Sequence, residues 1–345
     1  STLFVHGFTL RIKSTTDMKS SFRQNLLIAC SSVIVLLLIM ECILRILGYG
    51  NVETYLPDQD LLWRLAPNQE TFTKIGNKPV TINSHGMRDR EYTVQKPDGI
   101  FRILVIGNSC TYGWGVYQDS TYSKVLEQLL NRNHAAQQYE VMNAGVIGYS
   151  ISQILEFLKA DGNLWSPDLV LVSHTFNEGK RVSPSSPQEV KDKVFFAMKV
   201  KNILRNIALY HFVVEFNFSS QYVKLARKIT EDPSWIDSTA FNQYEHDLRD
   251  IVLWSKTNRT QLAYLLTVTK NQIMADSIHY SKHQLAILEV GRTESIPVVD
   301  FMKPFRSAGS IELYVDGGHP NEIGHRIMAT AICKELFRSS LPNDD

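Results

Sequence analysis

The chain is poor in cysteine and almost balanced in charge, and both shortages exclude whole classes of protein. Its 345 residues contain four cysteines, none in a Cys-x-x-Cys pair, which removes a disulfide scaffold, a zinc ribbon and a thioredoxin-like motif. Cys30 and Cys42 lie in an apolar stretch and Cys333 in the last helical pattern. Cys110 follows a glycine-flanked serine and reads as a small buried thiol behind it. Lysine and arginine number 36 against 35 acids and are spread along the chain, so no nucleic-acid partner is expected. There is no internal repeat and no low-complexity run. Gly107 to Gly113 lacks the Gly-Lys-Ser/Thr of a phosphate loop. His279 and His283 have no third metal ligand nearby and are expected on a solvated helix face. No metal and no cofactor is therefore anticipated.

One long apolar run is present. Leu26 to Met40 carries no charge, and the character continues to Leu47 with only Glu41 and Arg45 interrupting. These two are four residues apart, so they can pair on one helix face at a membrane boundary. About 20 apolar residues cross a bilayer core, and soluble helices are rarely apolar on all faces. Arg11, Lys13, Lys19 and Arg23 precede the run, whereas Glu53, Asp58 and Asp60 follow it. That bias predicts a cytoplasmic N-terminus and a domain outside the cytoplasm. No small-x-small cleavage site follows, so an uncleaved anchor is expected over a signal peptide. Glu41 occupies a position where a lipoprotein signal carries a small residue, which argues against lipidation at Cys42. Met18-Lys19-Ser20-Ser21-Phe22-Arg23 resembles a natural start, so residues 1–17 read as an upstream extension.

The hydrophobic content of 44% is ample for a large core. From Arg102 onward, short apolar strands alternate with helical patterns. Strands are expected at Ile103–Ile106, Glu140–Met142, Leu169–Val172, Leu262–Val268 and Pro297–Asp300. Helices are expected at Tyr122–Asn131, Ser150–Lys159, Asn271–Leu288 and Glu322–Phe337. This alternation predicts an α/β fold whose parallel sheet is covered on both faces. Ligands in such sheets bind beyond the strands' carboxyl ends, where Ser109, Gly148 and Asn177 fall. Four segments follow: a cytoplasmic stretch 1–24, an anchor 25–47, a polar stalk or packed extension 48–98, and a domain 99–345 with a helical insertion at about 179–260. In that insertion Phe196, Val200, Ile203, Leu204, Ile207 and Tyr210 keep helical spacing, with Lys193, Lys199, Lys201 and Arg205 opposite. This is read as a cap packed on its own domain, with a substrate wall or a lipid-facing surface as the functional alternative.

Ser109 ends a strand, and Asp316 and His319 stand three apart on a Gly/Pro-rich loop. A serine needs a base, imidazole serves near neutral pH, and a carboxylate fixes the ring's tautomer. His174 and His325 also stand near these residues. Asn217 and Asn258 begin glycosylation sequons, relevant only in a eukaryotic secretory setting.

Gly107-Asn108-Ser109, Asn143-Ala144-Gly145-Val146-Ile147-Gly148, Phe176-Asn177-Glu178 and Asp316-Gly317-Gly318-His319-Pro320 resemble, in order and spacing, the four blocks of the SGNH (GDSL-type) hydrolases. The resemblance runs from about Tyr92 to the C-terminus. It implies a flavodoxin-like three-layer sandwich with a five-stranded parallel sheet, preceded here by one N-terminal transmembrane helix. It implies Ser109 as nucleophile, His319 as base and Asp316 as its partner, with an oxyanion hole from the Ser109 and Gly148 N–H groups and the Asn177 amide. Gly145 is a neighbouring alternative to Gly148. The chain departs from the family pattern at Asn108, Phe176 and Glu178, none of which transfers a proton in the family scheme. The implied activity is hydrolysis of an ester on an acylated small molecule, glycan, envelope polymer or lipid. An O-acyltransferase with the same triad and a non-catalytic binding module are the alternatives.

Overall fold

The computed structural model describes residues 3–5, 8–10, 15–47, 49–51, 53–73, 78–133, 137–174, 184–210, 212–213, 238–309 and 311–337. Helix α1, Thr15–Ile46, contains a 25-residue stretch, Phe22–Ile46, whose most apolar 18-residue window has a mean hydropathy of 2.7. At 1.5 Å per residue that stretch spans about 37 Å, enough to cross a bilayer core of about 30 Å. Apart from the buried Leu44, its large apolar side chains are exposed rather than packed in a protein core.

Five strands form the central sheet: β1 Ile100–Gly107, β2 Gln138–Asn143, β3 Leu169–Ser173, β4 Gln261–Leu266 and β5 Val298–Asp300. All pairings are parallel, in the order β2-β1-β3-β4-β5. Alternate residues of each strand feed two separate cores, as the two-residue period of a strand requires. Ile103 and Val105 of β1 join Leu126 of α3 (Tyr122–Asn133) and Met328 and Ile332 of α10 (Glu322–Leu336). Leu104 and Ile106 point the other way. They meet Ile154 of α4 (Ile151–Ala160), Leu248 of α6 (Ser238–Asn258) and Ile287 of α8 (Lys282–Glu294). The result is a three-layer α/β sandwich.

Several boundaries differ from the sequence reading. The single helix expected at Asn271–Leu288 is two, α7 Lys270–Met274 and α8. Each begins with its own capping box, Thr269 with Gln272 and Ser281 with Gln284, and a capped start is a break in the preceding helix. His279 is therefore outside α8, while His283 is fully buried inside it, edge-on to the rings of Phe241 and Tyr244. The two do not share a solvated face. Helix α6 carries Tyr244, Leu248, Ile251 and Val252 into the core as the crossover from β3 to β4. Helix α9, Met302–Ala308, was not anticipated.

The polar stretch after α1 folds into two hairpins, Tyr55–Asp58 with Leu62–Leu65 and Gln69–Phe72 with Pro79–Ile82. Tyr55, Leu61, Leu65, Val80 and Ile82 join the same core as α4 and α6. Helix α5, Gln188–Arg205, lies against the first hairpin. There Asn202 Nδ2 donates to the Tyr55 carbonyl at 2.6 Å, and Lys191 Nζ donates to the Gln59 carbonyl at 2.9 Å.

Candidate active site

β1 and β3 end level with one another, since Gly107 pairs with Ser173, and β2 ends two residues earlier, where Val105 pairs with Asn143. The strand order reverses between β1 and β3, which is where open α/β sheets present a crevice. Gly107 is the last residue of β1 because nothing larger fits. A Cβ there would stand 2.2 Å from Thr111 Oγ1 and 2.4 Å from the Ser173 carbonyl oxygen. The chain then turns into α2, a single turn over Ser109–Tyr112. Asn108 caps it, its Oδ1 accepting from the Cys110 N–H at 3.1 Å, a task the amide performs as well as a carboxylate does. Gly113, at φ 89°, ends the turn in the left-handed region.

Ser109 is half-buried and its Oγ lies 2.8 Å from His319 Nε2. On the other side of the ring, His319 Nδ1 is 2.7 Å from Asp316 Oδ2. The loop bearing both residues is closed on itself: the Val315 N–H donates to the His319 carbonyl at 2.8 Å, and Tyr314 bridges Pro320. Asp316 Oδ1 accepts from the Gly318 and His319 N–H groups at 2.8 and 2.9 Å. Burial would raise the Asp316 pKa, but the imidazole and these two N–H groups outweigh it and hold the carboxyl below its usual range. Asp316 is thus an anion that can orient the ring and stabilise an imidazolium. Cys110 points away, with Sγ 3.7 Å from the Gly318 carbonyl, and burial and the nearby Asp316 carboxylate raise its pKa, so it is a thiol and no nucleophile.

As the first residue of α2, Ser109 has no intrahelical acceptor for its N–H. The loop after β2 approaches this turn closely. A Cβ on Gly145 would stand 2.3 Å from the Tyr112 nitrogen, and the Gly145 N–H is spent on Asn143 Oδ1 at 3.0 Å. Gly148 has φ 80° and its N–H has no backbone acceptor among the described residues, which favours it over Gly145 as a donor. Asn177, with Phe176 and Glu178, lies outside the described residues.

Two tryptophans flank the site. The half-buried Trp114 ring is 5.8 Å from the His319 ring. Trp63, from the first hairpin, donates through Nε1 to the Ile147 carbonyl at 3.3 Å and lies against Gly148.

Two residues that position the site were not legible in the sequence. Arg88 is fully buried and donates to the carbonyls of Tyr112 (2.9 Å), Gly113 (2.5 Å) and Val116 (2.7 Å), all in the loop that follows Ser109. Asp89, also buried, accepts from the Asn143 N–H at 2.8 Å and pairs with Lys124 Nζ at 2.8 Å, fixing the end of β2. The only signal was an Arg-Asp pair in a polar stretch, because their partners are main-chain groups distant in sequence. Nor does His325 line the site. It is fully buried on α10, stacked on Tyr122, with Nδ1 accepting from the Tyr122 N–H at 3.0 Å. His174 sits buried at the end of β3, its carbonyl accepting from the Tyr244 hydroxyl at 2.7 Å.

Among the described residues, His246, Asp247 and Asp250 are the group close enough to share a metal. Asp247 is already held by Ser152 and Gln243, and His246 by Asp250 at 3.4 Å. They stand on α6, apart from the serine and histidine.

The GDSL-like Lipase/Acylhydrolase family matches residues 105–327. The chain belongs to this family. The match takes in Ser109, the loop after β2, and the Asp316–His319 loop. No curated protein matches the chain. Among solved structures, it is similar to a two-domain esterase active on acetylated mannans, at 16% identity over 71% of this chain and 51% of that one, with a TM-score of 0.45. It spans about half the length of that enzyme. It is also similar to Axe2, an acetylxylan esterase from Geobacillus stearothermophilus, at 17% identity over 68% of this chain and 93% of the other, TM-score 0.45. A third is LAE5, an α/β hydrolase from the metagenome of Lake Arreo, Spain, at 15% identity over 67% and 93%, TM-score 0.44.

Proposed function

We propose that the enzyme cleaves its ester through an acyl-serine on Ser109. The observation that carries this reading is the relay Ser109 Oγ, His319 Nε2, His319 Nδ1, Asp316 Oδ2, with contacts of 2.8 and 2.7 Å. His319 accepts the hydroxyl proton as Oγ attacks the acyl carbon. It returns that proton to the leaving alcohol as the ester C–O bond breaks. Water, deprotonated by the same nitrogen, then attacks the acyl-serine and frees the acid and Ser109. Asp316 stays ionised throughout, holding the ring and stabilising the imidazolium. The Ser109 and Gly148 N–H groups and the Asn177 amide are the proposed oxyanion donors, each worth roughly 3–4 kcal/mol of barrier.

The substrate we propose is an acylated glycan carrying a small acyl group. Trp114 beside His319 and Trp63 beside Gly148 offer apolar ring faces with a polar edge, a chemistry suited to a sugar ring held next to the reacting ester. We also propose that residues 25–47 anchor the enzyme, with residues 1–24 in the cytoplasm, 48–98 as an extension and 99–345 as the hydrolase domain outside. The four basic residues before the apolar run support that orientation.

The test is acyl release from acetylated xylo-oligosaccharides and from aryl acetate by the full chain in detergent. Both activities are expected, and both are lost in Ser109→Ala. A variant that retained the parent rate would remove Ser109 from the mechanism, and preference for long-chain aryl esters with no action on the glycan would remove the proposed substrate.

A further inference from the structure

We infer that the exposed apolar face of α5 and the segment after it lie in the headgroup region of the bilayer, so that the enzyme is seated on the membrane at a second place beside its anchor. This rests on the reading of α1 as a membrane anchor.

Helix α5 has two faces of opposite character. At 100° per residue, Phe196, Val200 and Ile203 fall within an arc of roughly 60°, while Lys191, Val194, Met198, Asn202 and Arg205 cluster on the far side. The second group is the one the protein uses. Met198 is buried, Asn202 and Lys191 bond the first hairpin, and Arg205 donates to the Glu53 carbonyl at 3.1 Å while covering the Tyr55 ring. These contacts fix the rotation of the helix and turn the apolar face outward. Phe196 is 71% and Ile203 69% exposed, and Val200, Ile207, Phe212 and Val213 continue the apolar surface. Core packing, the expectation from sequence, is not what this face does.

The surface also adjoins the anchor. The Glu41 carboxylate of α1 accepts from the Ala208 and Leu209 N–H groups at 2.9 and 2.8 Å. Arg45, paired with Glu41 at 2.8 Å, donates to the Asn206 carbonyl at 2.6 Å. Tyr49 packs edge-on to Phe212 with ring centroids 5.5 Å apart. Glu41 and Arg45 are the charges at the end of the apolar run, the level at which a membrane helix leaves the hydrocarbon. Whatever they grip sits at that level too. Lys199 is exposed at one edge of the apolar arc, where its long stem can lie along the acyl boundary and its ammonium group reach a phosphate, whereas Lys193 at the other edge is paired with Glu189 at 2.8 Å. Glu189 and Asp192 share the apolar side of the helix but occupy its first turns, farthest from the anchor. The helix therefore descends toward the bilayer at its C-terminal end.

The test uses the full chain with Cys30 and Cys42 changed to serine, reconstituted in phosphatidylcholine–phosphatidylglycerol vesicles. A nitrobenzoxadiazole probe is attached at Ile203→Cys, at Ile34→Cys within the anchor, or at the exposed Leu285→Cys on α8. Turnover of a soluble aryl ester at the parent rate establishes that each labelled protein is folded. Lipids spin-labelled at the headgroup or at carbon 5 are expected to quench the probe at 203 by roughly half or more, to leave that at 285 unquenched, and deeper spin labels to quench that at 34. An unquenched probe at 203 with a quenched probe at 34 overturns the inference and leaves the anchor standing. A blue-shifted but unquenched probe at 203 assigns the face to a second protein copy and also overturns it. Equal quenching at 203 and 285 overturns it as non-specific adsorption, and no quenching at 34 overturns the anchor and the inference together.

Discussion

Asp316 sits where two backbone N–H groups and an imidazole converge, and the depressed pKa that results has a consequence for acid stability. A carboxylate depressed in the fold contributes stability above its unfolded pKa, and that contribution disappears as pH falls through the folded value. Two buried histidines act at higher pH. Burial, with Lys282 nearby, lowers the His283 pKa to about 4, and burial, with the charges of Arg88 and His319, lowers that of His325 to about 3. Both remain neutral in the fold, whereas the unfolded chain takes up their protons below about 6.5. Stability should therefore be level above pH 6.5 and fall as pH drops toward 4. By pH 5 the loss is roughly 2 kcal/mol for each ring. Denaturant midpoints measured at pH 7 and pH 5 check this, and His283→Phe, which suits the cage of Phe241 and Tyr244, should flatten part of the slope. An unchanged slope would show that His283 does not titrate on unfolding in this window. At position 108, Asn→Asp should leave folding and turnover near the parent, whereas Asn108→Ala should cost about 1 kcal/mol through the lost cap. Thermal midpoints of the two variants check it.

The strands, the main helices and the Asp316–His319 loop were legible because their information is local: apolar period, capping residues, and two chemical groups three positions apart. Arg88 and Asp89 were not legible, since their role depends on carbonyl and N–H groups brought near only by the fold. The pair His279 and His283 was misread for a related reason. Spacing of four implies a shared face only inside one helix, and the chain breaks between Met274 and Ser281. The loop that follows Ser109 is held by the buried arginine. Arg88 has three carbonyl partners and no carboxylate among its hydrogen bonds, so its removal leaves three buried acceptors unsatisfied. Arg88→Met should destabilise the fold by about 3 kcal/mol or more. In molecules that remain folded, kcat should fall more than KM rises, because α2 and Ser109 lose their support. Thermal midpoint and steady-state kinetics on one preparation check this, and normal kcat in a destabilised variant would confine Arg88 to a structural role.

On the scale of the whole molecule, the long apolar helix α1, the first hairpin and the crevice form one connected path. Helix α1 grips the segment after α5, α5 grips the hairpin, and the hairpin sets Trp63 against Gly148. An enzyme built this way is expected to act near the surface that holds it. A reporter active only outside the cytoplasm, fused after Asp345, should be active and remain with the membrane fraction, and recovery in a soluble extracytoplasmic fraction would mean that the apolar segment is cleaved. The central claim is narrower: one serine, activated by His319, carries the acyl group. The direct measurement is mass spectrometry of the full-length protein after reaction with a fluorophosphonate, followed by mapping of the modified peptide. A single adduct on Ser109, lost in Ser109→Ala and strongly slowed in His319→Ala, is the expected result. Active enzyme that takes no adduct, or that takes it on another residue, would contradict the account.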